Sequence, residues 1–191
     1  MRHIGIHLSY WQTKWTDDLR PLIARAQQAG FDVAEFPLLF PKDLAYNELK
    51  AELDGRGMLS SCGTGLGAAT DITHPDRGVR AAGMDHLRAC IEGAARLGSP
   101  VLAGVTYAPW MVFPDDIDQR RKQCILSLRE VSKIAGDHNV LVCLEAVNRF
   151  EGALINTVQQ GLSLLEEVDS HHLKLHLDTF HMNIEEDHLG E

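Results

Sequence analysis

Six short apolar runs with β-forming character recur along this chain, at 3–10, 31–38, 58–65, 101–107, 140–147 and 173–178. Between them lie stretches of helical periodicity, at about 17–29, 44–53, 78–97, 116–137 and 157–168. Gly30 and Gly98 follow helical runs where a left-handed residue is wanted, while Thr16 and Asn156 or Thr157 precede runs as N-caps. Strands separated by helices cannot form hairpins, so they pair in parallel through right-handed crossovers. The expected class is α/β, built from six βα steps. No linker-like or low-complexity break interrupts them, and residues 1–191 are expected to form one domain.

An open, doubly wound sheet calls for a Gly-rich phosphate turn after the first strand. Here that strand runs into "SYWQTKWTDD", with two Trp and no such turn. A closed (β/α)8 barrel accepts aromatics there, and its strands alternate between interior and helix-facing side chains. In "LKLHLD", Leu173, Leu175 and Leu177 share one face and Lys174, His176 and Asp178 the other. The same period in "VLVCLE" puts Leu141, Cys143 and Glu145 together. Glu145 and Asp178 therefore end their strands on the inward side, at the rim where barrels keep their chemistry.

The rest of the composition narrows the partners. A formal net charge of −9 and the lack of a Lys/Arg-rich stripe disfavour nucleic acid. Four cysteines, Cys62, Cys90, Cys124 and Cys143, form no C-x-x-C pair and read as reduced thiols. With no signal-peptide pattern and no apolar run near the ~18 residues of a membrane span, a cytoplasmic protein with no membrane partner is expected.

Two carboxylates from neighbouring strand ends repel unless a proton or cation lies between them, and His181 follows three residues after Asp178. A divalent metal resolves the repulsion; the structural alternative is a salt bridge from Arg149 or Lys174 to one of the acids. Glu151, in the loop beyond Glu145, is placed either to hydrogen-bond a substrate or as a solvated acid before the next helix. Trp11, Trp15 and Trp110 follow strand ends, where they could stack on a small polar ligand or simply anchor loops. "SSCGTGLGAAT" lacks the Lys-Ser/Thr ending of a phosphate loop and reads as a flexible rim loop. The remaining histidines carry no assigned chemistry.

At "CLEAVNRFEGALIN" and "KLHLDTFHMNIEE" the sequence resembles the ketose 3-epimerases, the D-tagatose and D-psicose 3-epimerase group of the xylose isomerase-like barrels. "GF" at 30–31, "PD-x-x-VR-x-AG" at 75–83 and "AG-x-T" at 103–106 follow the same plan. The resemblance implies a metal-dependent isomerase that epimerises a free ketohexose or ketopentose at C3 through an enediolate. It further implies that Glu145 binds a divalent ion, usually manganese with magnesium or cobalt as alternatives, and moves the C3 proton. Asp178 would be a second ligand. Glu151 and His181 would hold the O1–O2 end of the sugar, and Trp15 and Trp110 would shape the pocket. A cation beside the substrate oxygens would stabilise the enediolate charge. A homo-oligomer, dimer or tetramer, is also implied.

Two departures from that pattern bear on the expectations. The family's further ligands, a His from strand seven and a Glu from strand eight, are not reached, so the chain is expected to supply about six of eight βα units, with roughly 70–100 residues of a barrel absent. His188 and Glu191 in the terminal "HLGE" are not assigned as ligands. His7 stands at an inward position of strand one where the best-known members of that family carry an aromatic, which leaves the sugar preference open. Two other functions remain alternatives: an aldose–ketose isomerase of hydroxypyruvate type, and a non-catalytic, degenerate sugar-binding barrel if the chain ends at Glu191.

Overall fold

In the computed structural model, which describes residues 2–189, each strand hands the chain to a helix. The strands are β1 (Gly5–His7), β2 (Val33–Pro37), β3 (Leu59–Gly63), β4 (Val101–Gly104), β5 (Leu141–Glu145) and β6 (Leu173–His176). The helices are α1 (Arg20–Gln28), α2 (Tyr46–Arg56), α3 (Arg77–Leu97), α4 (Ile117–Asp137), α5 (Val158–Val168) and α6 (Thr179–Glu185). Glu191 lies outside the described residues.

All five strand pairings are parallel and run in chain order, β1-β2-β3-β4-β5-β6. A doubly wound sheet reverses its strand order at a switch point. No reversal occurs here, and the six units form a partial (β/α) barrel.

The alternation expected of such a sheet is present. Ala34 and Phe36 of β2, Leu102 of β4 and Val142 and Leu144 of β5 are fully buried against the helices, while Glu35, Cys143 and Glu145 take the intervening, interior positions. The helices answer with apolar residues three and four apart: Leu87, Cys90, Ile91, Ala94 and Leu97 on α3, and Cys124, Leu128, Val131 and Ala135 on α4. Each fully buried Leu or Ile contributes about 1.5–3 kcal/mol of transfer free energy. No described helix is long and apolar enough to cross a membrane.

Helix punctuation follows the sequence at most ends. Asp76 accepts the N–H groups of Gly78 and Val79 at the start of α3, and Thr157 forms a reciprocal capping box with Gln160 at α5. Gly57 and Gly98 end α2 and α3 with φ of 64° and 71°. Thr16 does not cap α1, which begins later behind Leu19 with Pro21 in its first turn. The neighbouring Asp17 instead closes a turn on the N–H groups of Thr13 and Lys14.

Three local expectations change. β6 stops at His176, so Asp178 lies past the strand as the N-cap of α6, its Oδ1 accepting the Phe180 N–H, and Leu177 is exposed rather than helix-facing. The sixth helix of the six expected βα units thus starts at Thr179, earlier than the terminal "EEDHLGE" where the sequence placed its beginning. The Gly-rich loop after β3 is tied down: Leu66 N–H donates to the Val105 carbonyl, and the Leu66 carbonyl accepts the Trp110 N–H.

Candidate active site

Glu145 closes β5, opposite His176 on β6. Because side chains of a parallel pair in register share a face, both project into the barrel interior. They and Asp178 line a cavity of about 350 Å3 with Gly63, Ala103 and Gly104 among its other lining residues. Gly104 adopts φ of 119°, and a Cβ there would fall on the carbonyl oxygen of Thr64, so only glycine lets β3 and β4 close in this way. A larger cleft of about 420 Å3 opens between the loops after β1 and β2. Of its acids, Asp17 and Asp18 are committed to local partners, Asp18 to Arg20, and Asp43 stands without a second acid facing it among the described residues. The acids that face one another lie in the smaller cavity.

Oxygens of Glu145 and Asp178 and a ring nitrogen of His181 all lie within 4.8 Å of one another. His181 Nε2 is 3.7 Å from Glu145 Oε1 and 3.9 Å from Asp178 Oδ2. His176 Nδ1 is 3.7 Å from Glu145 Oε2 and, though buried, has no hydrogen-bond partner among the described residues. Burial pushes the Glu145 carboxyl above its ordinary value; His176 and His181 pull it back, and Asp178 and Glu35 push it further. A partly buried carboxylate without a closing donor, beside a second acid and an orphaned ring nitrogen, suits a hard divalent cation. The donor set therefore fits such an ion.

The structural alternative for these acids is not realised. Arg149 clasps Glu185 in a two-pronged pair that ties the loop after β5 to α6. Lys174 makes no ion pair among the described residues, and neither base reaches Glu145 or Asp178.

His181 is only 7% exposed and is positioned by Asn148, itself 1% exposed. The Asn148 backbone N–H (3.2 Å) and side-chain amide (2.8 Å) both donate to His181 Nδ1. The amide cannot be reversed: its nitrogen also donates to Glu151 Oε1 at 2.9 Å, and its oxygen accepts the Phe150 N–H at 3.0 Å. With Nδ1 accepting, the neutral ring carries its proton on Nε2. His181 thus faces the two carboxylates as a donor rather than offering them a lone pair.

Glu151 sits beyond the strand, as its loop position suggested. Its Oε2 accepts the Trp110 indole N–H at 3.0 Å, and that bond, with the Asn148 amide, holds its carboxyl below the ordinary range. Trp110 is half exposed, Trp15 lines both the cavity and the larger cleft, and Trp11 packs on Phe31 under Arg25 as a loop anchor. Glu145, Asp178, His181, Glu151, Trp15 and Trp110 thus lie at the interior rim or in the loops around it. Sequence reasoning passed over Asn148, whose position between two acids in "EAVNRFE" was the available signal. It also left His176 and Glu35 without roles. The thiols offer no alternative chemistry, since burial pushes Cys62, Cys90 and Cys124 up to about 12 and raises Cys143 as well.

Comparison with known proteins agrees with this fold. Residues 23–191 match the family model described as xylose isomerase-like TIM barrel. The D-psicose 3-epimerase of Ruminiclostridium cellulolyticum is 36% identical over all of this chain and 67% of its own length. The ketose 3-epimerase of Arthrobacter globiformis is 34% identical over 96% of this chain and 64% of its own. The crystal structure of a D-allulose 3-epimerase from Methylomonas sp. in complex with D-allulose superposes with a TM-score of 0.92 at 34% identity, covering 97% of this chain and 65% of that one. The chain thus spans about two thirds of the length of the relatives it matches. Parallel strands in chain order and the extent of these matches establish that the chain belongs to the xylose isomerase-like TIM barrel family.

Proposed function

We propose that this chain belongs to a divalent-metal-dependent ketose 3-epimerase, which interconverts C3 epimers of a free ketohexose or ketopentose through an enediolate. The observation that carries this reading is Glu145, a partly buried carboxylate that faces Asp178 and the Nε2–H of His181 across gaps too long for hydrogen bonds. The names of the relatives, D-psicose, ketose and L-ribulose 3-epimerase, support the substrate class.

Glu145 and Asp178 would hold the ion, manganese on this reading. When bound it supplies positive charge beside the substrate oxygens where negative charge develops. Glu145 takes or returns the C3 proton, and its desolvated setting makes it a stronger base than a solvated carboxylate. The Nε2–H of His181 polarises the ketone, since a fixed donor aimed at a developing oxyanion stabilises it without reorganisation. Glu151, kept ionised by Trp110 and Asn148, accepts from a sugar hydroxyl at the O1–O2 end. Trp15 and Trp110 wall the mouth and exclude water.

The test is to incubate the full-length protein with manganese and D-fructose, D-tagatose or L-ribulose in deuterated water and to resolve the products by chromatography and mass. C3 epimers carrying one deuterium at C3 are expected. Aldoses labelled at C2 would mark an aldose–ketose isomerase instead. No exchange at C3 with any ketose would sink the proposal.

A further inference from the structure

We infer that His7 and Glu35 form a clasp for one hydroxyl of the sugar, remote from its carbonyl, and so set which ketoses the site accepts. The inference rests on the ketose reading above. His7 ends β1, and Glu35 is its partner in register on β2. Both line the cavity that holds Glu145 and Asp178, which reach it from the opposite end of the sheet.

The donor and acceptor roles are set by neighbours. The Ser9 backbone N–H donates to His7 Nδ1 at 3.2 Å, and the Ser9 hydroxyl lies 2.5 Å from the same nitrogen. An N–H can only donate, so Nδ1 accepts and the neutral ring carries its proton on Nε2. Ser61 donates to Glu35 Oε2 at 3.2 Å, which leaves Oε1 turned toward His7. Nε2 and Oε1 stand 3.7 Å apart, beyond hydrogen-bonding length. Both are partly exposed to the cavity, and no Lys or Arg pairs with Glu35 among the described residues.

A donor and an acceptor side by side across such a gap match a group that can accept and donate through one atom. A hydroxyl does both; a carbonyl or carboxylate cannot donate, and an ammonium cannot accept. Gly63 of β3 keeps the approach open, because a Cβ there would come 3.3 Å from Glu35 Oε1 and 3.7 Å from His7 Nε2. Any side chain at that position would plug the clasp. A hydroxyl seated here lies across the cavity from the carbon that Glu145 deprotonates, so the clasp grips the far part of the carbon chain.

The experiment compares C3 epimerisation of D-fructose with that of its 4-, 5- and 6-deoxy analogues, in the parent protein and in the His7→Phe and Glu35→Gln variants. A lost hydrogen bond to a charged partner predicts that one analogue falls about tenfold or more in kcat/KM relative to D-fructose. In both variants the ratio between D-fructose and that analogue narrows toward one, while the ratios for the other two hold. Circular dichroism shows whether each variant folds, and the isosteric Glu35→Gln keeps the test alive if His7→Phe does not. Equal turnover of all four sugars by the parent, or an equal loss on every sugar in the variants, overturns the clasp and leaves the epimerase reading standing. Absence of C3 exchange with any sugar in the parent overturns both.

Discussion

Asn148 shows how much chemistry one buried amide controls. Its two N–H groups serve Glu151 and His181 at once, so replacing it by Leu strips a donor from each and leaves both acceptors short. His181 Nδ1 keeps the backbone N–H and Glu151 keeps Trp110, so each acceptor loses one hydrogen bond of about 0.5–3 kcal/mol rather than its last partner. In Asn148→Leu the His181 proton is expected to redistribute between the two ring nitrogens, read from 15N shifts of the imidazole, with KM for ketose raised. Unchanged shifts would show that the Asn148 backbone N–H alone fixes the tautomer. Glu145 carries a prediction of opposite sign for stability. Its carboxyl is raised above the ordinary 4.5 by burial, so between that value and the folded one the native state holds more protons than the unfolded chain. Its stability contribution is therefore full below pH 4.5 and lost as pH rises through the folded value. Glu145→Gln, which cannot ionise, should melt higher than the metal-free parent above that window and alike below it, while C3 exchange is abolished. A thermal melt across pH 4–8 in chelator checks the sign. Glu145 was legible from strand alternation; Asn148 was marked only by its place between two acids, because burial in a loop has no period.

The elements themselves were largely legible, because apolar runs and helical periodicity report burial directly. All six strands and the first five helices lie where the sequence indicated, with ends shifted where local hydrogen bonds took over. β1 is cut to three residues because His7 caps a 3-10 turn through Ser9. α6 starts earlier than expected because Asp178 caps it directly after the strand, and its seven residues are too few to show an apolar stripe. Close packing between elements was also invisible. Gly83, in the middle of α3, touches the 3-10 turn at Ala68–Thr70, and a Cβ would fall on the Thr70 carbonyl oxygen and press on Ile72. Helix propensity favours Ala by up to ~1 kcal/mol. Overlap with backbone costs more, about 1–3 kcal/mol, so Gly83→Ala should be net destabilising, read as a lower urea midpoint. A raised midpoint would mean that the 3-10 turn can move away.

At the scale of the molecule, the sheet brings together groups far apart in sequence: His7 and Glu35 from its first two strands, Glu145 and Asp178 from its last two units. Bringing like charges together in a chain of formal net charge −9 stores repulsion that the proposed cation would relieve, and on that reading ion binding and folding are linked. A ligand at a hundred times its dissociation constant adds about 2.7 kcal/mol to stability. For a chain of this size that raises Tm by roughly 5–10 °C. Asp178→Asn separates charge from structure, because Asn caps a helix as well as Asp does, and α6 should keep its first hydrogen bond to Phe180. The variant is therefore expected to fold like the parent and to lose most of the manganese-induced rise in Tm, with the ionic strength matched by sodium chloride. A full rise in Asp178→Asn would reduce Asp178 to a helix cap and leave Glu145 to hold the ion with other partners.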